Sequence, residues 1–102
     1  MGVDVGGTKL LVVVVHPDGH VTSERAQPSP EDGPGLVAAV VDTATRLCGG
    51  VPAAVGVGAP ALVDRAGVVR FSPHLPGLVG TELGADLRSA LPGAALWVGN
   101  DA

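Results

Sequence analysis

The chain has 102 residues and a formal net charge of −4. Its length, with 46% apolar residues, allows one domain with a modest core. The acidic charge and the lack of a Lys/Arg cluster argue against a nucleic-acid-binding surface in this segment. The longest uncharged apolar run, residues 10–15, is too short to cross a bilayer, and Asp4 and Lys9 interrupt any signal-peptide core. With a single cysteine no internal disulfide forms, and a cytoplasmic protein is expected.

The motif GVDVGGTK near the start of the chain predicts a phosphate-binding hairpin. Its valines face a core while Asp4 points to the other side, because side chains alternate along a strand. Gly6 and Gly7 predict a turn with positive φ whose backbone N–H groups reach anionic oxygens. Thr8 and Lys9 add a hydroxyl donor and a cation. The motif is not a Walker A loop, and an ordinary glycine-rich turn is the alternative interpretation.

Apolar periodicity and turn residues divide the rest of the chain into short elements. In chain order, we predict strands over 10–15 and 21–26, a helix over 36–48, strands over 53–58 and 68–71, a helix over 82–91 and a strand over 94–98. Thr81 is expected to cap the second helix. Cys48, near the end of the first helix, is expected to be a buried, inert thiol.

Residues 56–61, GVGAPA, also match a loose dinucleotide-binding fingerprint. A Rossmann fold requires this string to open a helix. Pro60 and the apolar residues after it instead predict extended chain, so a Rossmann fold is disfavoured.

Three segments together resemble the ROK family, which holds bacterial sugar kinases and sugar-responsive repressors of the actin-like ATPase superfamily. They are DVGGTK at 4–9, VGVGAPALVD at 55–64 and WVGNDA at 97–102. The resemblance implies an α/β fold: a ribonuclease-H-like (actin-like ATPase) lobe with a mixed β-sheet, flanking helices and the order β-β-β-α-β. Residues 1–102 would be the amino-terminal lobe of a two-lobed protein. Gly99 departs from the family pattern, where a Glu is usual.

The resemblance also implies roles at the sugar side of a kinase site. Asp101 would be the catalytic base that takes the proton of the sugar hydroxyl. Asn100, together with Asp101, Gly58 and His74, would contact the sugar. For His74, a solvated loop histidine is the simpler interpretation.

At the nucleotide side, the resemblance implies ATP and Mg²⁺. Asp4 would hold Mg²⁺ through water, since hard cations prefer carboxylate and water oxygens. Gly6, Gly7 and Thr8 would donate to the nucleotide phosphates, and Lys9 would add positive charge, although a solvated lysine fits its position equally well.

The implied function is ATP-dependent phosphorylation of a hydroxyl of a hexose, glucose-like or N-acetylated, by the full-length protein, with the present chain inactive by itself. Two alternatives stay open: a sugar-responsive transcriptional regulator of the same family, and a non-catalytic actin-like module. A structural zinc would belong only to the missing carboxy-terminal part. A homodimer of the full-length protein is a further expectation from relatives.

Overall fold

The structure is a computed structural model that describes residues 1–16 and 18–100. Seven strands and two α-helices follow one another along these residues. In chain order they are β1 (Gly2–Val5), β2 (Lys9–Val15), β3 (Val21–Pro28), α1 (Gly33–Cys48), β4 (Ala54–Ala59), β5 (Leu62–Val63), β6 (Val69–Phe71), α2 (Leu83–Ala90) and β7 (Ala95–Asn100). A 3₁₀ turn, Pro76–Leu78, lies in the loop before α2.

Five strands form one mixed sheet in the order β3-β2-β1-β4-β7. The first three strands are antiparallel neighbours, whereas β4 runs parallel to both β1 and β7. Strands β5 and β6 form a separate hairpin. The mixed sheet with flanking helices confirms the predicted fold class. It also brings the carboxyl ends of β1, β4 and β7 to the same edge of the sheet.

Helix α1 begins and ends at residues suited to those positions. The Asp32 carboxylate accepts a hydrogen bond from the Gly35 N–H at 2.8 Å, and Gly49 ends the helix with a φ of 74°. Helix α2 begins differently from the prediction, because Glu82 is its N-cap and makes no side-chain cap. Thr81 is instead held by main-chain hydrogen bonds to Leu78 and Val69, so the prediction that it caps α2 is wrong.

The core lies between the two helices and one face of the sheet. Helix α1 contributes Leu36, Val40 and Ala44, all at most 1% exposed. The sheet and α2 contribute Val3, Val5, Leu10, Val12, Val55, Val57, Ala59, Leu83 and Leu87. Each such Leu or Val contributes about 1.5–3 kcal/mol by leaving water.

Cys48 is exposed, so the expected buried thiol is wrong. In the last turn of α1 it is Leu47, not Cys48, that packs against the core.

Residues 56–61 run from the middle of β4 into the turn before β5 and do not open a helix. The structure therefore excludes the Rossmann interpretation of this string. Among the described residues, no helix combines the length and the apolar character needed to cross a membrane.

Candidate functional site

The candidate site lies at the edge of the sheet where the parallel strands end. Strand β1 ends at Val5 and leads into the hairpin turn, defined here as residues 6–8. Strand β4 ends at Ala59, directly beside Asn100 at the end of β7. Ligands of sheets with parallel strands bind at this kind of edge, outside the carboxyl ends of the strands. All three segments singled out in the sequence therefore reach one edge.

Three hydrogen bonds fix the hairpin turn. The Gly6 N–H donates to the carbonyl oxygen of Lys9 at 2.8 Å. From the end of β3, the Ser29 hydroxyl donates to the carbonyl of Gly6 at 2.6 Å, and the Ser29 N–H donates to the carbonyl of Thr8 at 3.0 Å. The turn is thus closed at its base and held from one side by a single serine.

The two glycines of the turn differ from the prediction in their backbone conformation. Neither has a positive φ, so the prediction of a left-handed turn is wrong. At Gly6 a side chain has no space, because a Cβ would lie 2.8 Å from the Lys9 carbonyl oxygen. A Cβ at Gly7 would only touch the Cβ of His74, at 3.5 Å.

The hairpin turn carries hydrogen-bond donors of the kind that bind an anion. Within residues 1–16 and 18–100, the N–H groups of Gly7 and Thr8 donate to no acceptor of the chain. Lys9 is exposed at the start of β2, and it makes no ion pair with any described residue. Two unused N–H groups beside a cation fit a phosphate group well.

His74 lies beside this turn. The loop that carries it encloses a cavity of about 480 Å³ together with the turn and the β3–α1 connection, lined by Gly7, Ser29, Glu31, His74, Leu75, Pro76 and Gly77. Gly77 packs so tightly on the Glu31 carbonyl that a Cβ there has no room. The structure thus brings His74 to Gly7, two residues that the sequence assigned to the sugar and to the nucleotide respectively.

Asp4 lies on the sheet face that the helices leave uncovered. Its neighbour across β4 is Gly58, whose own neighbour on β7 is Gly99. The two positions next to Asp4 across the sheet, Gly58 and Gly99, carry no side chain, although the Trp97 indole leans over Gly99. No group of three or more potential metal ligands occurs among the described residues. A single exposed carboxylate with open space beside it fits a cation that keeps most of its water.

Asn100 is tied to the segment after β4. Its side-chain N–H donates to the Ala61 carbonyl at 2.9 Å, which ties the end of β7 to the residues that follow β4. The predicted base, Asp101, lies outside the described residues, and its role stays a prediction.

The side chain of Trp97 lies close to Gly99. The indole is 58% exposed on the uncovered face and leans over the neighbouring position. A Cβ at Gly99 would lie 2.7 Å from its Cζ2 atom. A side chain at position 99 therefore requires the exposed indole to move.

Ser29 is the one residue of this site that the sequence reasoning missed. It contacts the turn through both its hydroxyl and its N–H, although it is 23 residues from Gly6 along the chain. The signal in the sequence is a hydroxyl residue between two prolines, Pro28 and Pro30. It lies between the predicted strand over 21–26 and the predicted helix over 36–48.

Known proteins resemble this chain in sequence and in fold. The model of the ROK family matches residues 1–102. The chain is 32% identical to an N-acetyl-D-glucosamine kinase from Erwinia tasmaniensis over 105 residues, 99% of this chain and 34% of that protein. It is 35% identical to a glucokinase from Thermotoga maritima over 80 residues, 74% of this chain and 25% of that protein.

Solved structures give the same result. A ROK family glucokinase from Streptomyces griseus, in complex with glucose and AMPPNP, superposes with a TM-score of 0.79 at 32% identity, covering 99% of this chain and 32% of that one. A ROK hexokinase from Thermus thermophilus gives a TM-score of 0.81 at 31% identity, with coverages of 99% and 34%. The chain therefore spans about a third or less of the length of these relatives.

Proposed function

Because this chain belongs to the ROK family, we propose that the complete protein is an ATP-dependent kinase acting on a hydroxyl of a hexose. The present chain would form its amino-terminal lobe. Glucose and N-acetylhexosamines are the favoured acceptors, since the similar proteins include a glucokinase and an N-acetyl-D-glucosamine kinase. One observation carries the proposal. The hairpin turn and the end of β7 at Asn100 lie at the same edge of the sheet.

In this proposal, the hairpin turn binds the nucleotide phosphates. The N–H groups of Gly7 and Thr8 donate to phosphate oxygens, and Lys9 adds positive charge. Gly6 has no side chain, so the phosphates can come close to the main chain of the turn. Asp4 orients water molecules bound to Mg²⁺, which neutralises phosphate charge when present. These residues position the nucleotide and remove no proton.

The sugar lies near the ends of β4 and β7. Asn100 accepts and donates hydrogen bonds to sugar hydroxyls, Gly58 lets the sugar approach the main chain, and His74 borders the acceptor from the neighbouring loop. The Asp101 carboxylate takes the proton as the hydroxyl oxygen forms its bond to the γ-phosphorus. The bond from phosphorus to the bridging oxygen breaks, and ADP leaves with that electron pair.

The test is Asp101→Asn in the complete protein. Asparagine keeps the size of the side chain but accepts no proton, so kcat should fall by about 10²- to 10⁴-fold. The KM for the sugar should change much less, because the lost interaction matters most in the transition state. Steady-state kinetics with glucose and with N-acetylglucosamine measure both constants.

Two results would contradict the proposal. A kcat within a few-fold of the parent would mean that Asp101 is not the base. A complete wild-type protein that binds a sugar in calorimetry but forms no ADP with it would instead support the sugar-responsive regulator or the non-catalytic module.

A further inference from the structure

We infer that Ser29 is a positioning residue that aims the Gly7 N–H at the nucleotide phosphates. The inference rests on the proposed function for its ligand, but its structural part concerns the hairpin turn alone. Ser29 lies directly after β3, is half-buried, and donates two hydrogen bonds to the turn, one to the carbonyl of Gly6 and one to that of Thr8.

The peptide group between Gly6 and Gly7 is the part of the turn that Ser29 controls. In a trans peptide the C=O and the following N–H point in opposite directions within one plane. The Ser29 hydroxyl holds the Gly6 carbonyl at 2.6 Å. The N–H of Gly7 must therefore point away from Ser29, and no acceptor among the described residues receives it.

Without this restraint, the same peptide has an alternative orientation. Glycine has the widest range of backbone conformations of any residue, and here two adjacent glycines flank the peptide. A rotation of this peptide plane by about half a turn would reverse the directions of the Gly6 C=O and the Gly7 N–H. The ligand would then meet the Gly6 carbonyl oxygen instead of an N–H donor, and phosphate oxygens are repelled by a carbonyl oxygen.

The residues around Ser29 restrict the conformation of its main chain. Pro28 and Pro30 flank it, and a proline ring fixes its own φ and restricts the residue before it. The segment behind Ser29 is also tightly packed, because Gly77 of the His74 loop lies against the Glu31 carbonyl. The second hydrogen bond, from the Ser29 N–H to the Thr8 carbonyl, fixes the serine relative to the far side of the turn.

The kinetic test uses Ser29→Ala and Ser29→Thr in the complete protein. The alanine variant loses the hydroxyl, so the KM for ATP should rise by about tenfold, the effect expected for one good hydrogen bond. The KM for the sugar should change less than about twofold. Ser29→Thr keeps a hydroxyl and should restore the KM for ATP to within about threefold of the parent.

The matched control is Thr45→Val, which removes another hydroxyl that donates to a main-chain carbonyl, that of Val41 at 3.0 Å in α1. It should leave both KM values unchanged. The inference is overturned if Ser29→Ala leaves the KM for ATP unchanged, or if it raises both KM values equally.

A second measurement needs no substrate turnover and separates this inference from the proposed kinase activity. Relaxation-dispersion NMR on the ligand-free complete protein reports microsecond-to-millisecond exchange at the Gly7 amide. Exchange that appears in Ser29→Ala and is absent in the parent and in Ser29→Thr supports the restraint, even if no sugar is phosphorylated. A Gly7 amide with the same exchange in all three proteins overturns it.

Discussion

Single atoms decide which residue is tolerated at the hairpin turn. Gly6 lies against a main-chain oxygen, that of Lys9, to which its own N–H donates at 2.8 Å. A side chain there meets an atom that cannot rotate away. Gly7 faces the Cβ of His74 at an ordinary contact distance, so a small side chain is accommodated. The two adjacent glycines therefore have different structural requirements.

The prediction at this scale compares Gly6→Ala with Gly7→Ala. Gly6→Ala should lower the free energy of unfolding by about 1–3 kcal/mol, as overpacking against fixed atoms does, and should weaken ADP binding. Gly7→Ala should change the free energy of unfolding by less than about 1 kcal/mol, since its new contact is unstrained. Urea denaturation and ADP calorimetry on the complete protein test both variants, and equal destabilisation would contradict the packing argument.

At the scale of elements, the β5–β6 hairpin depends on one carboxylate. Asp64 accepts hydrogen bonds from the N–H groups of Ala66 and Val68 at 2.9 and 3.0 Å, and from the Arg70 guanidinium at 2.8 Å. The bond from the Val68 N–H, followed by that from Arg70, holds the pKa of Asp64 below its ordinary value of 3.8. Gly67, with a φ of 82°, completes the turn and lies against α2.

This arrangement predicts a pH-dependent contribution to stability. The folded-state pKa of Asp64 is lowered, so its contribution is fully present above about pH 4 and is lost as the pH falls through the folded value. Asp64→Asn should lower the Tm at pH 7, and the difference from the parent should shrink at acidic pH. Thermal denaturation at a series of pH values measures this difference.

The matched control is Asp42→Asn on the exposed face of α1, where the carboxylate pairs with Arg46 at 3.0 Å. An exposed pair within one helix contributes little, so its Tm should stay close to that of the parent. A Tm difference for Asp64→Asn that is independent of pH would contradict the role of the Asp64 charge.

At the scale of the whole molecule, the two faces of the main sheet differ. The helices cover one face, whereas the other exposes Trp97 and, together with Leu11, Val13 and Asp4, forms a shallow groove of about 310 Å³. In the proposed function, Asp4 and the hairpin turn would contact one side of a nucleotide only. The relatives are about three or more times longer than this chain.

We therefore predict that the 102-residue chain alone forms no ADP in the presence of ATP, Mg²⁺ and a hexose. Phosphoryl transfer depends on holding acceptor and nucleotide together, and about 7–11 kcal/mol of a barrier comes from such positioning. A coupled ADP assay measures the activity. Sugar-dependent ADP formation above that of an Asp101→Asn control of the same length would contradict this prediction.

Local patterns in the sequence are enough to predict the order and type of the main elements and the family. These features depend on local signals: apolar runs produce strands, a periodic stripe produces α1, and glycine and proline end them. The motifs at 4–9, 55–64 and 97–102 are likewise readable without coordinates. Element ends differ from the predicted ones by a few residues, and Thr81 does not cap α2 because the helix begins one residue later, with Glu82 as its N-cap.

The contacts that support the candidate site, in contrast, join segments far apart in the sequence. The contact of Ser29 with Gly6 spans 23 residues, and that of His74 with Gly7 joins a loop near α2 to the start of the chain. Such contacts follow from the strand order β3-β2-β1-β4-β7, which places distant segments side by side. No local pattern encodes these contacts, because each depends on which strands become neighbours and on which face the helices cover.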